Sequence, residues 1–384
     1  MNPIYLDYAA TTPVRDEVSE AMRPLLSDEF GNPSSRHRWG RAASARLEEA
    51  RERSAAALGV SPPEVLFVRG GTESDNLAIL GRAAVWSTRG DEPLVVVSAI
   101  EHKAVLEAAE SVTGSGGKCV VVGVGRDGAL DVDSLHTALQ QQPAVVSMMW
   151  VNNEVGLMLP VTEVAEMAHD AGVVFHTDAV QAVGKVPVRL GETPIDLATV
   201  TGHKIYGPKG TGLLVVRHGT EVAPRMFGGG QEKSLRPGTE DVAGAVGMSV
   251  AVELATLEAE FEARRLTALR KQLEDSLVAE LGSITIHGAE AKRAPHILSI
   301  GIPQADQEIV LAGLDLEGIA VSGGSACDSG AVAKSHVLLA MYGDDARGAT
   351  VRFSLGRGTT SDDIHAAAAA AVTVVRRAEA AGSS

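Results

Sequence analysis

Between about Glu64 and Leu214, short β-rich runs alternate with helix-like segments, and this alternation constrains the fold more than any other feature. The runs are Val65-Leu66-Phe67-Val68, Leu94-Val95-Val96-Val97, Cys119-Val120-Val121-Val122, Ala144 to Met149 and Val173-Val174-Phe175. Strands that are apolar along their whole length are buried on both faces, and strands joined through helices pair in parallel. The pattern therefore predicts an α/β fold, a mainly parallel sheet with helices on both faces. Ligands of such sheets sit beyond the carboxyl ends of the strands. The residues just after each run are where chemistry is expected.

A chain of 384 residues exceeds one typical core, so two domains are expected. A long helix rich in Ala, Glu, Leu and Arg, about 243–281, reads as a bridge to a second unit. There His296 to Gly301, Ala320 to Ser322 and Thr350 to Leu355 read as strands. Gln304 to Leu314, Ser335 to Met341 and Ser361 to Arg377 read as helices, which gives a smaller α+β unit. At the other end, residues 1–14 read as an extended entry segment. Asp16 to Arg23 reads as a short helix ended by Pro24, and Ser34 or Ser35 as the cap of the next helix.

The net charge of −15 repels phosphate backbones, so direct nucleic-acid binding is not expected. No run reaches the roughly 18–20 apolar residues of a membrane span, and the first residues do not read as a signal peptide. Two cysteines, Cys119 and Cys327, are no disulfide framework, which points to a reducing, cytoplasmic location. No metal is expected.

The strand ends carry distinct chemistry. After the first run, Gly70-Gly71-Thr72 opens a helix, and N–H groups there suit an anion such as a phosphate. An ordinary capped helix start has the same look. After the second run comes His102, and a lone histidine is more often structural. Gly123-Val124-Gly125-Arg126-Asp127-Gly128 matches a dinucleotide fingerprint only as a string; it opens no helix and reads as a turn. After the fifth run come Asp178 and, three residues on, Gln181. Asp178 could equally be a helix cap. The apolar run Ile195 to Val200 ends in Thr201-Gly202-His203-Lys204. A desolvated lysine is a nucleophile able to form a Schiff base with a carbonyl cofactor. Taken together, Gly71, Thr72, His102, Asp178, Gln181 and Lys204 supply what pyridoxal 5'-phosphate requires: partners for phosphate, ring, pyridine nitrogen, phenolic oxygen and aldehyde.

At this point the chain resembles the cysteine desulfurases, NifS/IscS-like members of the class V aminotransferase superfamily. The motifs are Gly31-Asn32-Pro33-Ser34-Ser35, Thr72-Glu73-Ser74-Asp75-Asn76, Glu101-His102-Lys103-Ala104-Val105, Val151-Asn152-Asn153-Glu154, Thr201-Gly202-His203-Lys204, Arg236-Pro237-Gly238-Thr239, Ser325-Ala326-Cys327 and Arg352-Phe353-Ser354-Leu355-Gly356. The resemblance implies the type I fold of pyridoxal-phosphate transferases. Residues 13–261 would form the large cofactor-binding domain, and 1–12 with 262–384 the small domain with the cysteine loop. It implies that Lys204 holds the cofactor and shuttles protons, and that His102 stacks on its ring. Asp178 would pair with the pyridine nitrogen and Gln181 with the phenolic oxygen. Thr72, Thr201 and His203 would bind the phosphate, with Gly71 allowing close approach. Thr239 would reach the phosphate of the other subunit of a homodimer. Asn153 and Arg352 would hold the substrate carboxylate.

The same resemblance implies that Cys327 takes the sulfur of L-cysteine as a persulfide, leaving L-alanine, and passes it to an acceptor protein. The acceptor could serve iron–sulfur assembly, tRNA thiolation or DNA phosphorothioation. Selenocysteine lyase, or another class V enzyme, is the alternative within the superfamily. Two departures stand out: Gly70-Gly71-Thr72 where Gly-Ala-Thr is usual, and Thr201 where serine is common. A cofactor-free interaction scaffold and a nucleotide-binding oxidoreductase are the readings from other classes.

Overall fold

The structure, a computed structural model, describes residues 3–324 and 335–382. The chain opens with a two-residue strand, β1 (Ile4–Tyr5), then helices α1 (Asp16–Ser27) and α2 (Arg38–Leu58). Two expectations fail here. Pro24 lies inside α1 rather than ending it. Its carbonyl accepts from the N–H groups of Asp28 and Glu29, which closes the last turn beyond it. The cap of α2 is His37, whose Nδ1 accepts from the Gly40 N–H at 3.3 Å, and neither Ser34 nor Ser35 serves.

The expected alternation follows: β2 (Val65–Val68), α3 (Gly71–Thr88), β3 (Leu94–Ser98), α4 (Lys103–Gly114), β4 (Lys118–Val122), α5 (Val132–Leu139), β5 (Val145–Ser147), α6 (Val161–Asp170), β6 (Phe175–Asp178), β7 (Leu197–Thr201) and β8 (Gly212–Val216). The seven strands beyond β1 form one sheet in the order β2-β8-β7-β6-β5-β3-β4. β3, β4, β5, β6 and β7 pair in parallel. β8 runs against both of its neighbours, β2 and β7. Two reversals restore direction, so β2 points the same way as β7. The carboxyl ends of β2, β3, β5, β6 and β7 therefore share one edge. Burial follows position: every residue of β3 is buried, whereas edge strand β4 leaves Val121 exposed. The glycine-rich string at 123–128 is a tight turn, with Gly125 N–H donating to the Ala129 carbonyl.

One boundary differs in a way that matters. The fifth run was expected to end at Phe175, but β6 starts there. Val173 is spent closing α6, its N–H on the Ala168 carbonyl at 2.8 Å, and pairing with β7 starts at His176. His176, Thr177 and Asp178 are thus strand residues, all buried.

Helix α7 (Val242–Glu280) then leads to β9 (Thr285–Ile286), β10 (Ile297–Ile302), α8 (Gln307–Leu316), β11 (Ile319–Ala320), α9 (His336–Tyr342), β12 (Ala349–Ser354) and α10 (Ser361–Gly382). β12, β10 and β9 form an antiparallel sheet, and β1 pairs with β11 in parallel. A second core gathers Leu6, Leu273, Leu298, Ile300, Phe353 and Ile364. The expectation of no membrane-length apolar stretch needs a qualification. α7 is long and apolar enough by length and composition, with a window of mean hydropathy 1.4, yet 67% of that window is buried within the protein.

Gly212 shows how tightly the sheet is built near the glycine opening of α3. A Cβ there would lie 2.9 Å from Gly70 Cα and 2.9 Å from the Val200 carbonyl oxygen. Both obstacles are backbone. Gly212→Ala is expected to lose about 1–3 kcal/mol of stability, the usual range for overpacking, measured by urea unfolding; a midpoint unchanged from wild type would refute this.

Candidate active site

The glycines after β2 set one wall of the site. Gly70 has φ 142° and ψ −177°, a conformation open to glycine but not to side chains. It lets the chain turn from β2 straight into α3, whose first turn has no side-chain cap. Those N–H groups are thus available to an anion. A Cβ on Gly71 would meet Val180 Cγ2 at 3.3 Å, and one on Gly70 would meet Thr201 Oγ1 at 3.9 Å. The start of α3 therefore lies against the ends of β6 and β7. The close methyl of Val180 gives a reason for glycine at 71. Thr72 is exposed at this helix start, and Thr201 is buried, its Oγ1 donating to the Thr211 carbonyl at 3.1 Å.

His102 follows β3 and caps α4: its Nδ1 accepts from the Ala104 N–H at 3.1 Å. Nδ1 is therefore the unprotonated nitrogen, and any proton on the neutral ring sits on Nε2. After β5, Asn152 builds the turn that presents Asn153. Its Nδ2 donates to the Ile100 carbonyl, and its Oδ1 accepts from the N–H groups of Glu154 and Val155.

At the end of β6, Asp178 Oδ1 accepts from the Val180 N–H at 2.9 Å. Burial raises the Asp178 pKa, while His102 and Lys204 pull it back. Asp75 on α3 is also buried and raised, first by burial and then by the charge of Asp178. Burial holds the Glu101 carboxyl at about 8. In the same strand His176 is pushed down to about 3 by burial, satisfied between Ser147 Oγ at 2.8 Å and Thr199 Oγ1 at 3.0 Å. This is a dry, carboxylate-rich floor. A cationic ring nitrogen above Asp178 would be favoured there.

Gln181 is buried and engaged at both ends of its amide. Its Nε2 donates to the Ala9 carbonyl at 2.8 Å, and His296 Nε2 lies 3.1 Å from its Oε1. The amide oxygen needs a donor, so His296 carries its proton on Nε2. Burial keeps that ring neutral, its pKa well below the usual histidine range.

Lys204 ends a single 3-10 turn after β7. Its Nζ donates to the carbonyls of Ala9 at 2.5 Å and Ala10 at 2.7 Å. Its own carbonyl accepts from Lys185 Nζ. Lys185 is buried, and burial followed by the charge of Lys204 lowers its pKa to about 7. His203 Nδ1 lies 3.2 Å from Thr11 Oγ1, and burial followed by nearby lysines lowers it to about 4.

Arg352 on β12 is 2% exposed. Its Nη1 donates to the Asn153 carbonyl at 2.8 Å and its Nη2 to Asp7 Oδ1 at 2.6 Å. Its Nε is buried without a hydrogen-bond partner among the described residues.

The structure thus brings Gly71, Thr201, Asp178, Gln181, His203 and Lys204 to one edge, with His102, Asn153 and Arg352 around it. Thr239 stands apart, exposed in a loop that Arg236 ties to Glu73 at 2.8 Å. Cys327 lies outside the described residues.

Comparison with known proteins gives the family. Residues 4–366 match the family described as aminotransferase class V. The chain belongs to that family. Among class V relatives, the cysteine desulfurase IscS of Dictyoglomus turgidum is 43% identical over 94% of this chain and 92% of its own length. Of solved structures, a NifS-like protein superposes with a TM-score of 0.89 at 32% identity, covering 98% of this chain and 100% of that one. SspA in complex with cysteine superposes with a TM-score of 0.78 at 31% identity, covering 92% and 98%.

What sequence reading missed in this class V site is the segment 7–12. Besides Asp7, Ala9, Ala10 and Thr11, it contributes Thr12, whose Oγ1 donates to the His203 carbonyl and accepts from the Tyr206 N–H. Lys185 and His296 were missed too. The available signal was an aspartate, two alanines and two threonines packed into six residues of an apparently plain entry segment.

Proposed function

We propose that this chain is a pyridoxal 5'-phosphate-dependent cysteine desulfurase. It takes L-cysteine to L-alanine, keeps the sulfur as a persulfide on Cys327 and hands it to an acceptor protein. The observation that carries the reading is the meeting of Lys204, Asp178 and Gln181 at adjacent strand ends beside the glycine-opened start of α3. The names of the class V relatives support it.

The residues fit the cofactor. The first turn of α3 from Gly71 and Thr72, together with Thr201 and His203, suits a phosphate. Asp178, unbalanced in a buried floor, suits a protonated ring nitrogen. Gln181 suits the phenolic oxygen: its Oε1 is occupied by His296, and Nε2 carries a second hydrogen besides the one given to Ala9. When bound, the cofactor supplies an electrophilic carbonyl carbon and a ring that takes up an electron pair from the substrate.

The chain's own groups do the rest. Lys204 Nζ is the nucleophile for the cofactor and, once released, the base that moves protons. His102, its Nδ1 tied to the α4 backbone, offers Nε2 toward the ring. Arg352 and Asn153 hold the substrate carboxylate, and Arg352 is suited to it by the planar fork of its guanidinium. The Cys327 thiolate attacks the substrate sulfur: one C–S bond breaks, one S–S bond forms, and the carbon takes a proton. No external oxidant is needed.

A homodimer fits the exposed position of Thr239 beside the α3 start, where a second copy's phosphate would meet it. A reducing compartment such as the cytoplasm fits a reaction that needs Cys327 as a free thiol. Iron–sulfur assembly, tRNA thiolation and DNA phosphorothioation remain open as destinations; the charge of −15 favours a protein acceptor over nucleic acid.

The test is direct. Purified protein with pyridoxal phosphate and L-cysteine is expected to release L-alanine and protein-bound sulfane sulfur in equal amounts. Alanine from selenocysteine but none from cysteine would overturn the reading in favour of a lyase.

A further inference from the structure

We propose that Asp7 is a placeholder for the substrate carboxylate: it neutralises Arg352 in the resting site, and the carboxylate of the incoming amino acid displaces it. This rests on reading Arg352 as the substrate-carboxylate residue.

The argument starts from the guanidinium. A carboxylate grips arginine with two parallel bonds, through either the Nε/Nη2 edge or the Nη1/Nη2 end. Both arrangements use Nη2. In this structure Asp7 Oδ1 occupies Nη2 at 2.6 Å. Nη1 is on the Asn153 carbonyl, and Nε is buried with no hydrogen-bond partner among the described residues. Asp7 therefore makes a one-toothed contact on the atom that any two-toothed ligand must share, and it leaves the neighbouring donor unmet.

Burial explains why a placeholder is present. The Arg352 side chain is 2% exposed, and a buried charge without a partner is strongly destabilising. The Asp7 side chain is 20% exposed, so it can return to water when replaced. The exchange requires only a side-chain rotation. The backbone on either side of Asp7 is pinned to β12, with Tyr8 N–H on the Ser354 carbonyl at 3.2 Å and Ser354 N–H on the Leu6 carbonyl at 2.7 Å. Arg352 is equally fixed, its N–H donating to the Ser322 carbonyl at 2.7 Å. The site thus offers a preset cation whose occupant is weak by design of its geometry. Amines without a carboxylate gain nothing from the exchange, so Asp7 also sharpens selection for amino acids.

The experiment uses the full chain loaded with pyridoxal phosphate, titrated with L-alanine or with cysteamine, which lacks the carboxylate, and followed by cofactor absorbance. Asp7→Asn is expected to tighten L-alanine binding about tenfold, the order of one charge-assisted hydrogen bond, and to leave cysteamine unchanged. Unchanged or weaker L-alanine binding, or an equal shift for both ligands, would overturn the placeholder role. Arg352→Gln separates the two readings. Loss of L-alanine binding there upholds the carboxylate role of Arg352, whatever Asp7→Asn does. Retained binding removes that role and the present inference with it. If Asp7→Asn fails to fold, a crystal structure of the wild-type protein with L-alanine decides: Asp7 must have left Nη2, and an intact Asp7–Arg352 pair beside bound alanine overturns the proposal.

Discussion

Lys204→Ala is expected to cut alanine formation from cysteine by about 10³-fold or more, the scale of losing both a covalent anchor and a proton carrier. It should also abolish the absorbance of lysine-bound cofactor. The fold should survive. Lys204 Nζ bonds the carbonyls of Ala9 and Ala10, and Gln181 Nε2 still donates to Ala9 in its absence. The cost is then one carbonyl left short of a donor, about 1–3 kcal/mol, readable as a shifted urea midpoint. Lys185 supplies the competing outcome. It is buried, its pKa lies at about 7, and its amine sits at the carbonyl of Lys204. Reduction of the loaded wild-type protein followed by peptide mapping should find the cofactor on the peptide of Lys204. Label on Lys185, or a coloured and active Lys204→Ala protein, would move the anchor to that second lysine.

Cys327→Ser should reduce alanine release from cysteine by about 10²-fold or more, since a hydroxyl is a far weaker nucleophile than a thiolate. Here the cofactor absorbance should remain, and so should its response to added cysteine. The two substitutions thus divide the reaction: one removes the cofactor chemistry, the other only the sulfur step. Cys327 lies outside the described residues, but its flanks do not. Ser335 Oγ donates to Glu154 Oε2 at 2.5 Å, and the Gly324 carbonyl lies 3.5 Å from Arg352 Nη1. One flank therefore touches Arg352 and the other Glu154, the residue after Asn153. Cys119, half-buried on edge strand β4 with its thiol pushed up by burial, is the internal control. Cys119→Ser should keep wild-type turnover. Full activity in Cys327→Ser would remove the persulfide route.

The part of the site that lies on the sheet was legible in the sequence because strand periodicity fixes where chains end, and ends are where ligands bind. Asp178, Gln181 and Lys204 follow from that rule, and Thr201 from the family resemblance. The offset at β6 came from reading Val173-Val174-Phe175 as the strand, when Val173 closes the helix before it and the strand runs on to Asp178. The segment 7–12 was not legible because it has no period of its own. Its partners across the site lie 172 to 345 residues away, as in Ala9 with Gln181 and Asp7 with Arg352. Such contacts leave no local pattern. His296 and Lys185 were hidden for a related reason: each supports a site residue from behind, His296 from the turn before β10.

The crossing of segment 7–12 through the site has a consequence for biosynthesis. During translation Asp7 leaves the ribosome long before Arg352. The groups that hold Ala9, Ala10 and Thr11, on Gln181, His203 and Lys204, are all made once residue 204 has emerged, and β8, which joins β7 to β2, follows by residue 216. The guanidinium of Arg352, to which we assign the substrate carboxylate, arrives only after another 148 residues, counting from 204 to 352. On the proposed function, the strand ends assigned to the cofactor are thus made well before the arginine assigned to the substrate carboxylate exists.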